Sequence, residues 1–334
     1  MSKRLLSFSR LLDLPENHSA LVAVRDLADA IAFGRQAAQP NPLYLHGPAG
    51  VGKTCLVKTL QAEMLRRNGQ AVIGWLPAKE LQTLLWPQES AAEGGPRLAD
   101  EVDLLVVEDL HHLSPRWADR LAEIIEDLKG RHIPIVVTAL TGPRFLPFSG
   151  RLISRLTSGL VVGLEIMQAP SRLRFLQAKA QERQLAVRPE VLAWLAERVR
   201  GSGRELEGVL IRLDALSRVH AQPPDVAAVA PHFEEEFEAS KPTFDRIMQQ
   251  VSASFQLSTA QLFSPRRDRR FLVPRQVGMY LTRRLTGLSL GEIGKRFGGR
   301  DHSTVLHGCR KVADALTRDT SLAGTVQQLE AALT

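Results

Sequence analysis

Hydrophobic and polar residues follow two patterns in the first half of the chain. Between residues 40 and 165, short apolar runs rich in β-branched residues are separated by stretches with helical spacing. Such near-continuous apolar runs are typical of strands buried on both faces of a parallel sheet that helices cover. The predicted strands are NPLYLHG, QAVIGWL, DLLVVED, IPIVVTAL and GLVVGLEI. The pattern therefore predicts an α/β domain, which we place at 1–165.

The strand pattern stops near residue 168, and helical spacing takes over. Val191, Leu195 and Val199 form one apolar stripe, which predicts a helical lid at 166–235. Prolines and an acidic run between 221 and 242 indicate a boundary, with the best position near 232–241. We expect a second, helical domain at 236–334.

Length and composition exclude several classes of protein. A chain of 334 residues with 44% hydrophobic residues fits about two globular domains, and it excludes a disordered polymer or a fibre. No uncharged apolar run approaches the roughly 20 residues that cross a bilayer, and no secretory signal pattern opens the chain. Cys55 and Cys309 are far apart in helical segments, which argues against a disulfide framework or a metal cluster. We expect a cytoplasmic protein.

The positive charge is concentrated near the C-terminus. Residues 241–320 contain 15 Lys and Arg against 6 Asp and Glu, whereas the rest of the chain contains 28 against 30. A basic module on a near-neutral body indicates an anionic polymer as its partner, because phosphates attract the cations and release counterions.

A phosphate-binding loop follows the first predicted strand. The run from Gly47 through Gly50 and Gly52 to Lys53 and Thr54 has the form GxxxxGK[ST], between a strand and a helix. Its glycines let backbone N–H groups face a polyphosphate at the helix N-terminus. Lys53 is expected to contact the β and γ phosphates, and Thr54 to offer a hydroxyl to Mg²⁺. The sequence therefore predicts ATP or ADP with Mg²⁺ as cofactors.

Two carboxylates end the third predicted strand. Glu108 is expected to hold Mg²⁺ and Asp109 to orient the attacking water. Glu108 stands where an aspartate usually holds the metal, and its extra methylene shifts the oxygen relative to an ion that demands tight octahedral geometry. The sequence therefore supports nucleotide binding more firmly than rapid hydrolysis, as in a weak ATPase that acts as a switch.

Two arginines have alternative interpretations. Arg155, between the fourth and fifth strands, is either a surface arginine or a residue that reaches the γ-phosphate on a neighbouring subunit. Arg204 begins a lid helix and either senses the phosphate or pairs with Glu205 and Glu207.

The basic module has the pattern of a helix-turn-helix. Pro274 is expected to start a helix that runs to Leu285, Ser289 and Glu292 form a capping box for a short helix, and two glycines precede a third helix from about Ser303. The third helix is expected to enter the major groove of duplex DNA. Candidate contacts at its start are Arg300, Asp301, His302, Ser303, Thr304 and His307, and Arg266, Arg267, Arg269 and Arg270 form a basic loop. An exposed helical hairpin that binds nothing is the alternative.

The combination of motifs resembles a known family. The run from Phe297 to Lys311, FGGRDHSTVLHGCRK, closely resembles the signature of the bacterial chromosomal replication initiator family, DnaA. The resemblance extends over roughly residues 15–320, through the phosphate loop and the following motifs: Asn41-Pro-Leu, Arg151-Leu-Ile-Ser-Arg155, Gly203-Arg-Glu-Leu-Glu-Gly208 and Pro274-Arg275-Gln276.

The resemblance implies a fold and a function. The fold would be an AAA+ ATPase with a helical lid, joined to an all-α helix-turn-helix domain. The function would be ATP-dependent oligomerisation on origin DNA, which initiates replication on the nucleoid. Arg155 then resembles the arginine finger, Arg204 the second sensor, and Asn17 a residue near the adenine. The positions that match DNA contacts are Arg267 in the minor groove and Arg275, Gln276, Arg283, Arg300, Asp301, His302, Ser303 and Thr304.

The sequence also departs from the family pattern. The ATPase motifs begin almost at Met1, where family members usually carry a helicase-recruiting domain, so helicase contact is not expected. The first sensor of the family matches Thr138-Ala-Leu140, where Leu140 replaces the acidic residue that usually follows the threonine. These features leave open a related regulator of transcription or replication whose ATP site is structural. A metabolic phosphate-loop kinase would leave the basic module unexplained. Acidic phospholipids are compatible partners on charge alone.

Overall fold

A computed structural model describes residues 7–35, 38–81, 102–199, 201–219, 223–234, 237, 242–255, 257–266, 268–316 and 320–333. The chain divides into two compact units. The first contains Met1–Leu185 and Ser202–Arg212, and the second contains Ala186–Gly201 and Leu213–Thr334. Residues of the predicted lid, 166–235, therefore belong to both units.

One parallel sheet organises the first unit. Within the described residues its strands are β1 (Leu43–His46), β2 (Ile73–Pro77), β3 (Leu104–Glu108), β4 (Ile135–Ala139) and β5 (Leu160–Gly163). They lie in the order β2-β3-β4-β1-β5, and every pair is parallel. This confirms the predicted α/β sheet. Because the strands are parallel, β1 and β3 end at the same edge, and the residues that follow them meet there.

Helices cover both faces of the sheet and explain the continuous apolar runs. The first face packs against α1 (His18–Ala32) and α2 (Lys53–Arg67), with Leu45, Val106 and Val136 in the shared core. The second packs against α3 (Ala118–Gly130) and α4 (Gly150–Thr157), with Tyr44 and Val137 in that core. Alternate residues of each strand thus point to opposite cores. The unit also contains α5 (Ala169–Glu182) and short 3₁₀ turns at Phe8–Arg10, Ala78–Glu80, Leu110–His112, Pro115–Trp117 and Pro143–Phe145.

The second unit is helical. It contains α6 (Pro189–Arg198), the end of α7 (Gly203–Val219), α8 (Val226–Val229) and a 3₁₀ turn at Ala230–His232. Further along the chain lie α9 (Phe244–Ser254), α10 (Thr259–Phe263), α11 (Arg269–Leu285), α12 (Leu290–Arg296), α13 (His302–Leu316) and α14 (Thr320–Leu333). Val277 of α11, Ile293 of α12 and Val305 and Val312 of α13 meet in one core with Phe297, which follows α12 directly.

The three predicted helices of the basic module are present, with one correction. The capping box of Ser289 and Glu292 starts α12 as expected. However, α11 begins at Arg269, so Pro274 lies inside the helix and does not start it. Proline lacks an N–H, and the missing donor costs no hydrogen bond in the first turn of a helix. The sequence pattern alone does not show how many residues separate the proline from the start of the helix.

Nothing in the described part of the chain forms a helix long and apolar enough to cross a membrane.

Candidate nucleotide site and nucleic-acid interface

The backbone between β1 and α2 forms the loop that the glycine pattern predicts. Gly50 and Gly52 have φ angles of 79° and 105°, which favour glycine because a Cβ is strained there. Gly47 opens the loop directly after β1, and α2 begins at Lys53. The free N–H groups at this helix start favour an anion. The three predicted glycines therefore shape one cradle at the edge of the sheet.

Lys53 folds back over this cradle. Its Nζ donates to the carbonyl oxygens of Gly47 and Pro48 at 2.6 and 2.7 Å, and the residue is buried. Burial lowers the pKa of Lys53 to about 8, although the charge of Asp109 opposes that shift. The ammonium is thus partly desolvated and bonded to neutral carbonyls. A phosphate bound in the cradle can replace those carbonyls as its partner.

The next residue is joined to the end of β3. The Thr54 hydroxyl donates to Oε1 of Glu108 at 2.6 Å, and the indole Nε1 of Trp75 donates to Oε2 at 3.1 Å. A hydroxyl and a carboxylate oxygen side by side are the ligands that Mg²⁺ takes from a protein when phosphates and water supply the rest. Despite its extra methylene, the Glu108 carboxylate lies within hydrogen-bond distance of the Thr54 hydroxyl.

Asp109 adopts a left-handed backbone, with φ of 56°. Its N–H donates to the buried hydroxyl of Thr138 at 3.0 Å, which ties the end of β3 to the end of β4. The two predicted carboxylates thus have separate surroundings, since Glu108 faces Thr54 and the backbone of Asp109 is bonded to Thr138 of β4. Leu140 follows β4 directly.

The remaining predicted nucleotide residues lie on helices of the first unit. Asn17 precedes α1, where its side chain donates to Leu12 O and accepts from the Leu14 N–H, each at 3.0 Å. Arg204 is exposed in the first turn of α7. Arg155 in α4 is 43% exposed, and its Nε donates to Glu126 at 2.6 Å. Its exposure leaves the guanidinium accessible to another molecule.

The start of α13 presents a polar surface. Asp301, His302, Ser303 and Thr304 are all exposed, while Val305 behind them is buried. The Asp301 carboxylate accepts from the Ser303 N–H at 2.8 Å, and that bond lowers the pKa of the carboxyl. Asp301 therefore caps the helix and fixes how its first turn faces solvent.

The other predicted DNA contacts divide by exposure. Arg283 is exposed and Arg300 is half-buried. By contrast, Arg275 is 2% exposed and Gln276 is 8% exposed, because both lie on the inner face of α11. The Arg275 guanidinium donates to the carbonyls of Leu262, Ser264 and Arg266. Arg275 therefore supports the loop before α11 from inside, and Arg267 lies outside the described residues.

Two family profiles match the chain. The "Bacterial DnaA ATPAse domain" matches residues 3–163, and the "Bacterial dnaA protein helix-turn-helix" matches residues 244–312. A chromosomal replication initiator protein DnaA from Brucella abortus is 33% identical over 340 residues, which cover 97% of this chain and 67% of that protein. The chain belongs to the DnaA family. The relative from Ralstonia pickettii is 32% identical over 300 residues, covering 88% of this chain and 57% of the relative.

Solved DnaA structures have the same fold. AMPPCP-bound DnaA from Aquifex aeolicus has a TM-score of 0.57 at 23% identity, covering 98% of this chain and 97% of the other. A replication initiator DnaA bound to AMPPCP and single-stranded DNA has a TM-score of 0.57 at 22% identity, covering 97% and 96%. The predicted AAA+ architecture with a C-terminal helix-turn-helix is therefore confirmed.

Sequence reasoning missed two side chains of this DnaA-family chain. Trp75 contacts Glu108, and Glu126 binds both Arg151 and Arg155. The sequence did indicate that Trp75 could lie near Glu108, because residues two apart on a strand point to the same face of a sheet. For Glu126, no spacing rule links α3 to α4 before their packing is known.

Proposed function

We propose that this chain binds ATP or ADP with Mg²⁺ and uses the nucleotide to control its assembly on duplex DNA of the replication-origin type. The observation that carries the proposal is the cradle of Gly50, Gly52 and Lys53, with Thr54 beside Glu108, in a chain that also presents an exposed first turn of α13. Assembly on such DNA would initiate or regulate chromosomal replication, and relatives of the chain are named chromosomal replication initiator proteins.

The phosphate loop supplies nucleotide binding. N–H groups at the start of α2 would face the phosphates, and Lys53 would exchange its two carbonyl partners for the terminal phosphates. That exchange would offset the desolvation that lowers the Lys53 pKa, because a phosphate next to Lys53 favours the charged ammonium. We therefore expect Lys53 to move when nucleotide binds.

Thr54 and Glu108 would hold Mg²⁺, and Asp109 would orient water. Mg²⁺ neutralises charge on the β and γ phosphates. Asp109 lies one residue beyond the metal-type carboxylate, and its backbone is held by Thr138. Leu140 provides no acid after the sensor threonine, which supports slow hydrolysis and a role for nucleotide as a switch.

Arg155 would make the switch act between subunits. Its exposed guanidinium, placed in α4 beside Glu126, is suited to reach a γ-phosphate bound to a second copy. Only the ATP form would offer that phosphate, so only the ATP form would assemble. Arg204 would act within the same subunit as a second sensor, from its exposed place at the start of α7.

The helix-turn-helix would provide sequence recognition. Side chains at the start of α13 would reach base edges in the major groove, and Thr304 offers both a hydroxyl and a methyl group. Arg267 would contact the minor groove, with Arg283 and Arg300 on phosphates. Association with acidic phospholipids rests on the positive charge of residues 241–320 alone.

A second function deserves testing because of Glu108 and Leu140. The chain would then be a regulator of transcription or replication whose nucleotide is structural. Selection of bound duplexes from a randomised library, with ATP and with ADP in parallel, separates the two. Clusters of one short asymmetric box enriched only with ATP support the switch. One box selected equally with both nucleotides favours the regulator, and no convergence contradicts sequence-specific binding.

A further inference from the structure

The Glu108 carboxylate is held at both of its oxygens. Thr54, in the first turn of α2, donates to Oε1 at 2.6 Å, and Trp75, in the middle of β2, donates to Oε2 at 3.1 Å. The two donors come from different elements, a helix and a neighbouring strand. Each carboxylate oxygen therefore accepts one hydrogen bond from a side chain.

The strand register explains how the indole reaches this carboxylate. Trp75 lies opposite Val106, and Pro77 lies opposite Glu108. Since residues two apart on a strand share a face, Trp75, Val106 and Glu108 all point toward the same side of the sheet. The long indole of Trp75 spans the two-residue offset, with its ring half-buried against the core that lies between the sheet and α2.

The indole N–H of Trp75 is a suitable hydrogen-bond donor for a carboxylate that is proposed to bind a metal ion. An indole N–H only donates, so it cannot itself compete for a cation, and it is neutral. Lysine or arginine in its place would neutralise the carboxylate, whereas Trp75 fixes it and leaves its negative charge for Mg²⁺. Glutamate has one more rotatable bond than aspartate, and the Trp75 bond restricts that added freedom.

We propose that Trp75 is a positioning residue for the magnesium site: it holds Oε2 of Glu108 so that Oε1 stays beside the Thr54 hydroxyl. This arrangement lets glutamate stand where the phosphate-loop pattern usually has aspartate. The inference rests on the proposed function, because it requires nucleotide to bind with Mg²⁺.

The test measures the dissociation constant of radiolabelled ATP for the full chain, with excess Mg²⁺ and with EDTA. The ratio of the two constants is the magnesium enhancement. Trp75→Phe removes the N–H and keeps a ring in the core. We expect it to lower the enhancement about 10- to 150-fold, the usual effect of losing a hydrogen bond to a charged group, and to change the constant in EDTA less than about twofold.

The matched control is Trp194→Phe, at a half-buried tryptophan in α6 of the second unit, which should leave both constants unchanged. A second arm repeats Trp75→Phe in a Glu108→Ala background, where it should add nothing because Trp75 acts through Glu108. Glu108→Asp should remove most of the sensitivity to Trp75→Phe, since the shorter side chain has no added bond to restrain.

Each result has one meaning. An unchanged enhancement in Trp75→Phe overturns the inference, and so does an equal loss with Mg²⁺ and with EDTA, which would mark a packing role. An added loss in the Glu108→Ala background also overturns it. Where Trp75→Phe fails to fold, the indole N–H resonance of ¹⁵N-labelled protein decides, since it must shift in Glu108→Ala. If the unsubstituted chain binds no ATP in either condition, the proposed function itself fails.

Discussion

Arg275 is a buried cation whose guanidinium is satisfied by carbonyl oxygens. Burial lowers its pKa, and the nearby charge of Arg300 acts in the same direction. Arg300 also donates to the Ser264 carbonyl, at 2.9 Å. The two arginines therefore hold the segment between α10 and α11 from its inner side. This segment contains Arg266 of the predicted basic loop, whereas Arg269 and Arg270 lie in the first turn of α11.

Replacing Arg275 should destabilise the second unit. In Arg275→Met, the carbonyls of Leu262, Ser264 and Arg266 lose their guanidinium donor, which should cost about 2–4 kcal/mol in the free energy of unfolding. Urea denaturation followed by circular dichroism measures it. Arg310→Met, at an exposed position of α13, is the control and should change stability by less than about 0.5 kcal/mol. Equal midpoints for the two variants would contradict the supporting role.

Glu126 provides a prediction about pH. Hydrogen bonds from Arg151, first, and then from Arg155 lower the pKa of Glu126 to about 2. Because the folded pKa is depressed below the ordinary value, these contacts stabilise the fold above about pH 4.5. That stabilisation is lost as pH falls toward 2.

Removing either arginine should raise the pKa of Glu126, and Arg151→Ala should raise it more than Arg155→Ala. Carboxyl ¹³C NMR titration measures both. Arg120→Ala, which removes a partner of Glu123, serves as the control and should leave the Glu126 titration in place. A Glu126 pKa that is insensitive to Arg151 would show that the pair does not persist in solution.

At the scale of an element, the phosphate loop is shaped by close approach as well as by backbone angles. A Cβ at Gly50 would lie 2.2 Å from the Cβ of Ser202, whereas a Cβ at Gly52 would meet nothing within 4 Å. Both glycines have positive φ, so a substitution at either position is strained. Substitution of Gly52 therefore measures the cost of backbone strain alone, whereas substitution of Gly50 adds the cost of a steric collision.

We expect Gly52→Ala to cost about 1–2 kcal/mol in stability and Gly50→Ala about 1–3 kcal/mol more, since it adds the collision with Ser202. Thermal and urea unfolding measure the difference. Ser202→Gly removes the Cβ with which an alanine side chain at position 50 would collide. The double variant Gly50→Ala with Ser202→Gly should therefore have about the stability of Gly52→Ala. If Ser202→Gly gives no rescue, the loop and Ser202 are not in contact in solution.

Elements were predicted from sequence where a single physical cause determines them. The strand at Leu104–Glu108 is apolar because both its faces are covered, and α12 starts at Ser289 because Glu292 completes its capping box. The start of α11 was wrong by five residues because Pro274 satisfies the rules for a helix start without being one. The inward position of Arg275 could not be predicted, since its partners are backbone carbonyls that pattern does not reveal.

The sequence proposed Thr54 and Glu108 as candidate magnesium ligands, but it did not indicate which side chains contact them or the other candidate residues. Thr54 ends the glycine-rich loop pattern, and Glu108 ends an apolar strand. The structure places their side chains in contact. Trp75 and Glu126 act through rotamers and helix packing, which depend on the whole fold. Sequence therefore identifies the groups that would touch nucleotide, and three-dimensional structure identifies the groups that hold them.

At the scale of the whole molecule, the proposed assembly would depend on one side chain at the surface, Arg155. Arg155→Ala should leave ATP affinity within about twofold and abolish ATP-dependent assembly, because the residue would contact nucleotide on another copy. Sedimentation velocity with ATP and with ADP measures the assembly. Arg120→Ala, exposed on the neighbouring α3, is the control. Unchanged sedimentation of Arg155→Ala with ATP would contradict a role between subunits.

The bond between Trp75 and Glu108 also gives the molecule an optical property. The emission colour of an indole depends on the electric field around its ring and on the hydrogen bond of its N–H. Trp75 donates that bond to the carboxylate that would face Mg²⁺. A cation bound at Glu108 would offset the negative charge beside the ring, and we expect it to shift the emission. Occupancy of the site can then be followed by intrinsic fluorescence in unlabelled protein, with the Trp75→Phe spectrum as the background to subtract.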